Sequence, residues 1–137
     1  MTHWIAANPQ IFLTALENHL WLTGVALGAV LLIALPLGLL LTRQRRFANA
    51  AMAVVNILRT VPSLALLVIM LPLLGTGFLP SVVALTLYGL PALLLNTYTG
   101  LTEVDADIVD AARGQGFSDA QVMTRIEIPL ALPVIFA

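Results

Sequence analysis

One long uncharged run limits what this chain can fold into. Residues 20–42, LWLTGVALGAVLLIALPLGLLLT, contain no charged side chain and exceed the about 20 residues needed to cross the hydrocarbon core of a bilayer. Hydrophobic residues make up 60% of the 137-residue chain and charged residues only 9%, which is too little charge for the surface of a soluble domain. We therefore predict an all-α polytopic membrane protein whose first transmembrane helix is 20–42.

The positions of the arginines assign sides to the predicted crossings. Arg43, Arg45 and Arg46 directly follow the first apolar run, and positively charged loops lie on the cytoplasmic side. Arg113 and Arg125 lie in a later loop that the count of crossings places on the same side. The N-terminus is then external.

Residues 1–19 form the segment before the first crossing. They lack the basic start and the small-residue cleavage site of a secretory signal, and Glu17 interrupts the approach to the apolar run. Pro9 can open a short helix there, since proline is favoured at the first helical position. We predict an external, interfacial N-terminus over 1–19.

A second apolar run, 48–75, is interrupted by NILRTVPS. Arg59 is costly in lipid, and Pro62 removes a backbone donor and disfavours helix just before it. Further on, Pro91 predicts a kink within the next apolar segment. The predicted elements are a cytoplasmic loop with an interfacial helix, 43–59, and two membrane helices, 60–74 and 81–98.

A polar segment, 99–129, follows the third crossing. Thr102 can cap a short helix running to Arg113, and Gly114 and Gly116 can end it. Ser118 with Gln121 three residues later forms the pattern of a capping box. We predict a second helix from Asp119 to about Ile128, ended by Pro129, after which 130–137 begin a fourth membrane helix.

Several kinds of chemistry are excluded by composition. Without any lysine the chain has no phosphate-binding loop of the G-x-x-x-x-G-K-[ST] kind, and without cysteine it has no thiol chemistry. His3 and His19 stand far apart and form no zinc-site motif, and no basic run fits nucleic acid. We expect no catalytic residue, no metal and no cofactor bound by this chain.

Residues 110–129 resemble the cytoplasmic EAA motif of ABC importer permeases. The motif is an acidic residue and two alanines, a glycine four residues later, nine further residues, then Ile, a variable residue, an apolar residue and Pro. Asp110 stands where the family usually has Glu, and Ile128 where it usually has Leu. The matching residues are Asp110, Ala111, Ala112, Gly116, Ile126, Ile128 and Pro129.

The similarity continues through nearly all of residues 19–137. HLWLTGVALGAVLLIALPLGLLLTR, RTVPSLALL and LYGLPALLLNTYTGL resemble the permease subunits of glycine betaine, carnitine and choline importers. Arg59 stands where that subfamily often has Gln and where related methionine and polar amino-acid permeases often have Arg. A methionine or polar amino-acid permease is therefore the alternative within the superfamily.

The resemblance implies a type I ABC importer permease fold, present here in part, with a cytoplasmic coupling helix. It implies pairing with a second permease subunit, two cytoplasmic ATPase subunits that use ATP and Mg²⁺, and an external solute-binding protein. The residues expected to couple to the ATPase are Asp110, Ala111, Ala112, Arg113, Gly114, Gly116, Asp119, Ile126, Ile128 and Pro129.

A second set of residues is polar or kinked within apolar sequence, where such residues usually face the interior of a bundle. We expect a translocation pathway among them; local packing or interfacial anchoring is the alternative for each, and it is favoured for the aromatic members, which commonly lie at membrane interfaces. They are Arg59, Pro62, Ser63, Tyr88, Asn96 and Tyr98.

Other interpretations stay open at this point. Gly24 and Gly28 form a G-x-x-x-G, which marks a close helix contact or reflects the frequency of glycine in membrane helices. From its residues alone, 110–129 is equally an ordinary amphipathic loop with helix caps. A passive channel, a membrane scaffold without an ATPase, and a truncated inactive permease are the remaining alternatives for the whole chain.

Overall fold

The computed structural model describes residues 7–137, with the backbone alone at Arg45; residues 1–6, including His3 and part of the predicted N-terminal segment, lie outside it. Within this range every regular element is helical. The helices are α1 (Pro9–Arg43), α2 (Arg45–Leu58), α3 (Ser63–Leu74), α4 (Phe78–Thr102), α5 (Ala106–Gly114), α6 (Asp119–Val122), a π turn (Met123–Glu127) and α7 (Ile128–Ile135).

Two of these helices are long and apolar enough to cross a membrane. They are α1, with 35 residues, and α4, with 25. Taken together as one element, α2 and α3 are also long and apolar enough to cross a membrane, with a bend of 91° at the break between them. With 12 residues, α3 is only about 18 Å long, so it does not cover the hydrocarbon core by itself.

Helix α4 is the centre of the bundle, because it packs against α1, α2, α3 and α7. Its largest contact is with α1. Glycines lie at both of the closest approaches there: an added Cβ atom would lie 2.5 Å from Thr97 Cγ2 at Gly38, and 3.0 Å from Val30 Cγ2 at Gly89.

These two approaches fix the relative direction of the helices. Eight residues separate Val30 from Gly38 on α1, and eight separate Gly89 from Thr97 on α4. Both helices therefore advance in the same direction, and they stay in register over about 12 Å. The segment between them, α2 with α3, therefore returns the chain to the end of the bundle where α4 begins.

The start of the chain differs from the sequence-based expectation. Instead of an interfacial element followed by a separate membrane helix, α1 is continuous from Pro9 to Arg43. Glu17 lowers the hydropathy of the segment, but neither glycine nor proline interrupts the backbone between Pro9 and Gly24. A change in polarity was thus mistaken for a change in structure.

The prediction that Thr102 caps the next helix is wrong. Thr102 is the last residue of α4, and its hydroxyl donates to the Tyr98 carbonyl at 2.8 Å. Asp105 takes the capping role, since its carboxylate accepts the backbone N–H of Asp107 at 2.9 Å. Both residue types cap helices well, and the longer α4 leaves only Asp105 in the required position.

The prediction that Pro129 ends a helix is also wrong. The chain remains helical from Asp119 to Ile135, because the π turn before Pro129 replaces the usual bonding pattern. Ile128 N–H donates to the Met123 carbonyl five residues back. In a straight α-helix the proline ring would clash with the carbonyl four residues before it, and the wider π turn relieves that clash.

Candidate functional site

The polar segment after α4 folds as the sequence predicts around Ser118. The Ser118 hydroxyl accepts the Gln121 backbone N–H at 3.4 Å, and the Gln121 side chain accepts the Ser118 N–H at 2.9 Å. This confirms the capping box. Gly116, with φ of +87°, lies in the left-handed region that lets the chain turn between α5 and α6. Gly114 is the last residue of α5 and has no such conformation.

This segment has a small hydrophobic core of its own, which we call the coupling core. Its buried members are Val109, Ala112 and Val122. Val104, Phe117 and Ile126 pack around them. Because α5 contributes Val109 and Ala112, and α6 contributes Val122, the two helices are held together by apolar contacts across the turn at Gly116.

Arg113 links the same two helices by charge. Its guanidinium lies 3.5 Å from a carboxylate oxygen of Asp110 in α5 and 3.5 Å from one of Asp119 in α6. The two carboxylates are about three-quarters exposed, so solvent screens both pairs. Exposed pairs of this kind contribute about 0–1 kcal/mol, which makes the coupling core the stronger connection.

An open apolar groove of about 370 Å³ lies along one face of α5. Ala111 and Ala112 are among its lining residues and contribute only small side chains. Ile126 was also predicted from the sequence, whereas Asp107, Ile108, Gln115 and Phe117 were not. Ile108, Ala111, Ala112 and Gln115 nevertheless follow the spacing of one helix face. The lining residues are Asp107, Ile108, Ala111, Ala112, Gln115, Phe117 and Ile126.

The opposite face of α5 borders a polar cavity of about 330 Å³. Asp110 and Arg113 line it together with Thr42 and Arg43, from the end of α1, and Glu127. The arginine-rich end of α1 and the polar segment therefore lie at the same end of the bundle. The parallel order of α1 and α4 requires this arrangement.

Helix α6, the π turn and α7 form one continuous helical segment, residues 119–135, that connects the polar segment to the bundle. We call it the rod α6–π–α7. Within the rod, Ile126 packs on the coupling core, whereas Ile128 packs on a second core formed by Leu101, Met123, Ala131 and Ile135. Gly100 of α4 lies so close to α7 that an added Cβ atom would be 3.1 Å from the Ala131 carbonyl oxygen. Pro129 is exposed and belongs to neither core.

The predicted pathway residues separate into two groups. Ser63 and Tyr88 line one cavity of about 240 Å³, together with Ser81, which the sequence analysis did not single out. The cavity is otherwise apolar, lined by Leu22, Leu64, Leu67, Ala84 and Leu85. Arg59, Pro62, Asn96 and Tyr98 do not line it.

The glycine pair on α1 has open surroundings. No atom comes within 4 Å of an added Cβ atom at Gly24 or at Gly28. Among the described residues, the close packing of α1 instead uses Gly38, which lies outside the G-x-x-x-G pattern.

The comparisons with known proteins give one family. Residues 31–137 match the family model of the binding-protein-dependent transport system inner membrane component. The whole chain is 37% identical to the glycine betaine/carnitine/choline transport system permease protein OpuCB of Bacillus subtilis, of which it covers 63%. It is 40% identical over its full length to the choline transport system permease protein OpuBB of the same organism, again covering 63%.

A third relative comes from another genus. Over 133 residues, 95% of the chain, identity to the carnitine transport permease protein OpuCB of Listeria monocytogenes is 42%, and 60% of that protein is covered. The chain thus spans about three-fifths of the length of these relatives.

Proposed function

Since the chain belongs to the family of inner membrane components of binding-protein-dependent transport systems, we propose that it is a permease subunit of an ATP-driven importer. The proposed solute is a small quaternary-ammonium osmoprotectant: glycine betaine, choline or carnitine. We further propose that residues 110–129 transmit the motion of a separate cytoplasmic ATPase to the membrane helices.

The construction of the segment supports the coupling role. Its outer surface offers an open groove lined in part by small residues, and its interior is a packed core that can move as one body. That body is joined to the bundle by the unbroken rod α6–π–α7, whose α7 packs tightly on α4 at Gly100. A displacement of α5 is therefore carried to α4 through packed side chains and continuous helix.

The proposed orientation follows from the arginines and the parallel helices. Arg43 and the polar segment lie at one end of the bundle, which we assign to the cytoplasm by the positive-inside rule. The ATPase that uses ATP and Mg²⁺ would bind there, and an external solute-binding protein would deliver solute at the opposite end. A second permease subunit, identical or different, would complete the pathway.

The coupling segment distinguishes this function from a passive channel or a scaffold, neither of which needs a preformed cytoplasmic groove. The proposed solute rests on the relatives, whose names specify glycine betaine, carnitine and choline. An amino-acid permease remains the alternative to be tested alongside.

The decisive experiment is uptake by cells that carry the full-length gene together with its neighbouring transporter genes. Labelled glycine betaine, choline, carnitine and methionine are supplied separately, with and without depletion of ATP. ATP-dependent uptake of a quaternary-ammonium compound is expected. Uptake of methionine alone would reject the solute class and keep the importer, and uptake unaffected by ATP depletion would reject the importer.

A further inference from the structure

The cavity lined by Tyr88, Ser63 and Ser81, which we call the Tyr88 cavity, lies beside the first half of the central helix, from Ser81 to Tyr88. Tyr88 is ten residues after the start of α4 and fourteen before its end, or about 15 Å and 21 Å from the two ends. Tyrosines that anchor membrane helices lie at the headgroup level instead. Tyr88 therefore has a position that anchoring does not explain.

The polar groups of this cavity are available to a ligand. No described residue forms a hydrogen bond with the Tyr88 or Ser63 hydroxyl, and Tyr88 is 56% exposed. The Ser81 hydroxyl donates to the Gly77 carbonyl at 2.8 Å and keeps its acceptor lone pairs. Free polar groups at this depth are costly unless they face a water-filled space or a polar partner.

The break in the chain lies next to the same cavity. Ser63 is the first residue of α3, directly after the non-helical residues 59–62 where the chain bends by 91°. Irregular backbone at membrane depth is tolerated where it is buried in protein or lines a watery cavity. The bend and the unpaired hydroxyls thus both indicate that a polar or water-filled space lies on this face of the bundle.

We infer that the Tyr88 cavity is a solute-contact site of the translocation path, in which the Tyr88 ring contacts the trimethylammonium group of the solute. This inference rests on the proposed function. A quaternary nitrogen carries no N–H and cannot donate hydrogen bonds, so an aromatic face and apolar walls are its suitable partners. A primary ammonium group carries three N–H donors, and this lining, which has no carboxylate, offers only its three hydroxyls to accept them.

The uncharged lining of the cavity also suits a solute that must bind weakly enough to be released during transport. None of its lining residues is charged, so no carboxylate holds the cation in place. A single ring contributes a modest attraction, and a transport path requires binding that is favourable enough for entry and weak enough for release. High-affinity selection is then left to the external binding protein.

The test uses the full-length transporter, with both permease subunits, the ATPase and the external binding protein, reconstituted in proteoliposomes. Uptake of labelled choline and glycine betaine is measured for Tyr88→Leu, for Tyr88→Phe, and for Phe78→Leu as control. Phe78 is an exposed aromatic residue of the same helix and does not line the cavity. Complex assembly and thermal stability are measured for every variant.

We expect Tyr88→Leu to lower the rate of uptake at subsaturating solute about 3- to 30-fold, the range of one cation–π contact. Tyr88→Phe and Phe78→Leu should stay within about twofold of the wild type, because the first keeps the ring and the second leaves the cavity unchanged. Assembly should be unaffected in all three.

The contrary outcomes separate the two proposals. Normal uptake by Tyr88→Leu would overturn the solute-contact site and leave the importer standing. Loss of assembly in Tyr88→Leu would overturn it as well, by showing that the cavity packs against another helix. A wild-type complex that imports no quaternary-ammonium compound would overturn the proposed solute class itself.

Discussion

Gly38 of α1 and Thr97 of α4 are in such close contact that a Cβ atom at Gly38 would lie 2.5 Å from Thr97 Cγ2 and 2.7 Å from Thr97 Cβ. Thr97 is 2% exposed and its hydroxyl donates to the Leu93 carbonyl at 2.7 Å, so its side chain is held in place. The two helices can approach this closely only because residue 38 has no side chain.

Because of this contact, we expect a single added methyl group at residue 38 to lower the stability of the protein. Gly38→Ala should destabilise the protein by about 1–3 kcal/mol, because the added methyl group must push α1 away from α4. Gly28→Ala, on the same helix with open surroundings, is the matched control and should be neutral or slightly stabilising, since alanine favours helix over glycine. Thermal unfolding of the purified full-length protein in detergent measures both. Equal stability of the two variants would contradict the described pairing.

The conformation of Gly116 leads to a second prediction, which compares a substitution there with one at the nearby Gly114. Gly116→Asp should abolish ATP-driven uptake while leaving membrane insertion intact, because an aspartate there is strained at φ of +87° and adds charge to the coupling segment. Gly114→Ala, two residues earlier in ordinary helical conformation, should retain uptake. The readouts are uptake and the amount of protein in the membrane fraction. Normal uptake by Gly116→Asp would refute the coupling assignment.

The coupling core leads to a third prediction, about the effect of a buried charge. Val122 is 1% exposed between α5 and α6, so Val122→Asp places an unpaired carboxylate in that core and should unfold the segment. Ala120→Asp, on the exposed side of the same short helix, is the control and should leave the segment folded. ATPase activity stimulated by the solute-binding protein should be lost in Val122→Asp alone. The assignment fails if both variants keep that stimulation.

Local signals in the sequence predicted local structure well. The capping box at Ser118 and the turn at Gly116 depend only on residues within three or four positions, and both are present. The two long apolar helices were also recognisable, because a long uncharged apolar run is typical of a membrane-spanning helix. The limits of α1 and α4 were less accurate, since hydropathy changes where the backbone does not.

What could not be predicted depends on contacts between distant segments. Nothing near Gly38 indicates that Thr97 will pack on it, and the more conspicuous pair Gly24 and Gly28 packs on nothing described. The π turn before Pro129 has no sequence signal of its own and reverses the expected helix end. Likewise, Ser63 and Tyr88 belong to different helices, and only their packing brings them to one cavity.

The equal spacing of the two approaches between α1 and α4 has a consequence for how this chain can vary in length. Each residue inserted into a helix turns the part beyond it by about 100°. A single insertion between Gly89 and Thr97, or between Val30 and Gly38, would leave one approach in place and rotate the other out of the interface. Changes in length should therefore be excluded from these two eight-residue intervals and confined to the connections outside them.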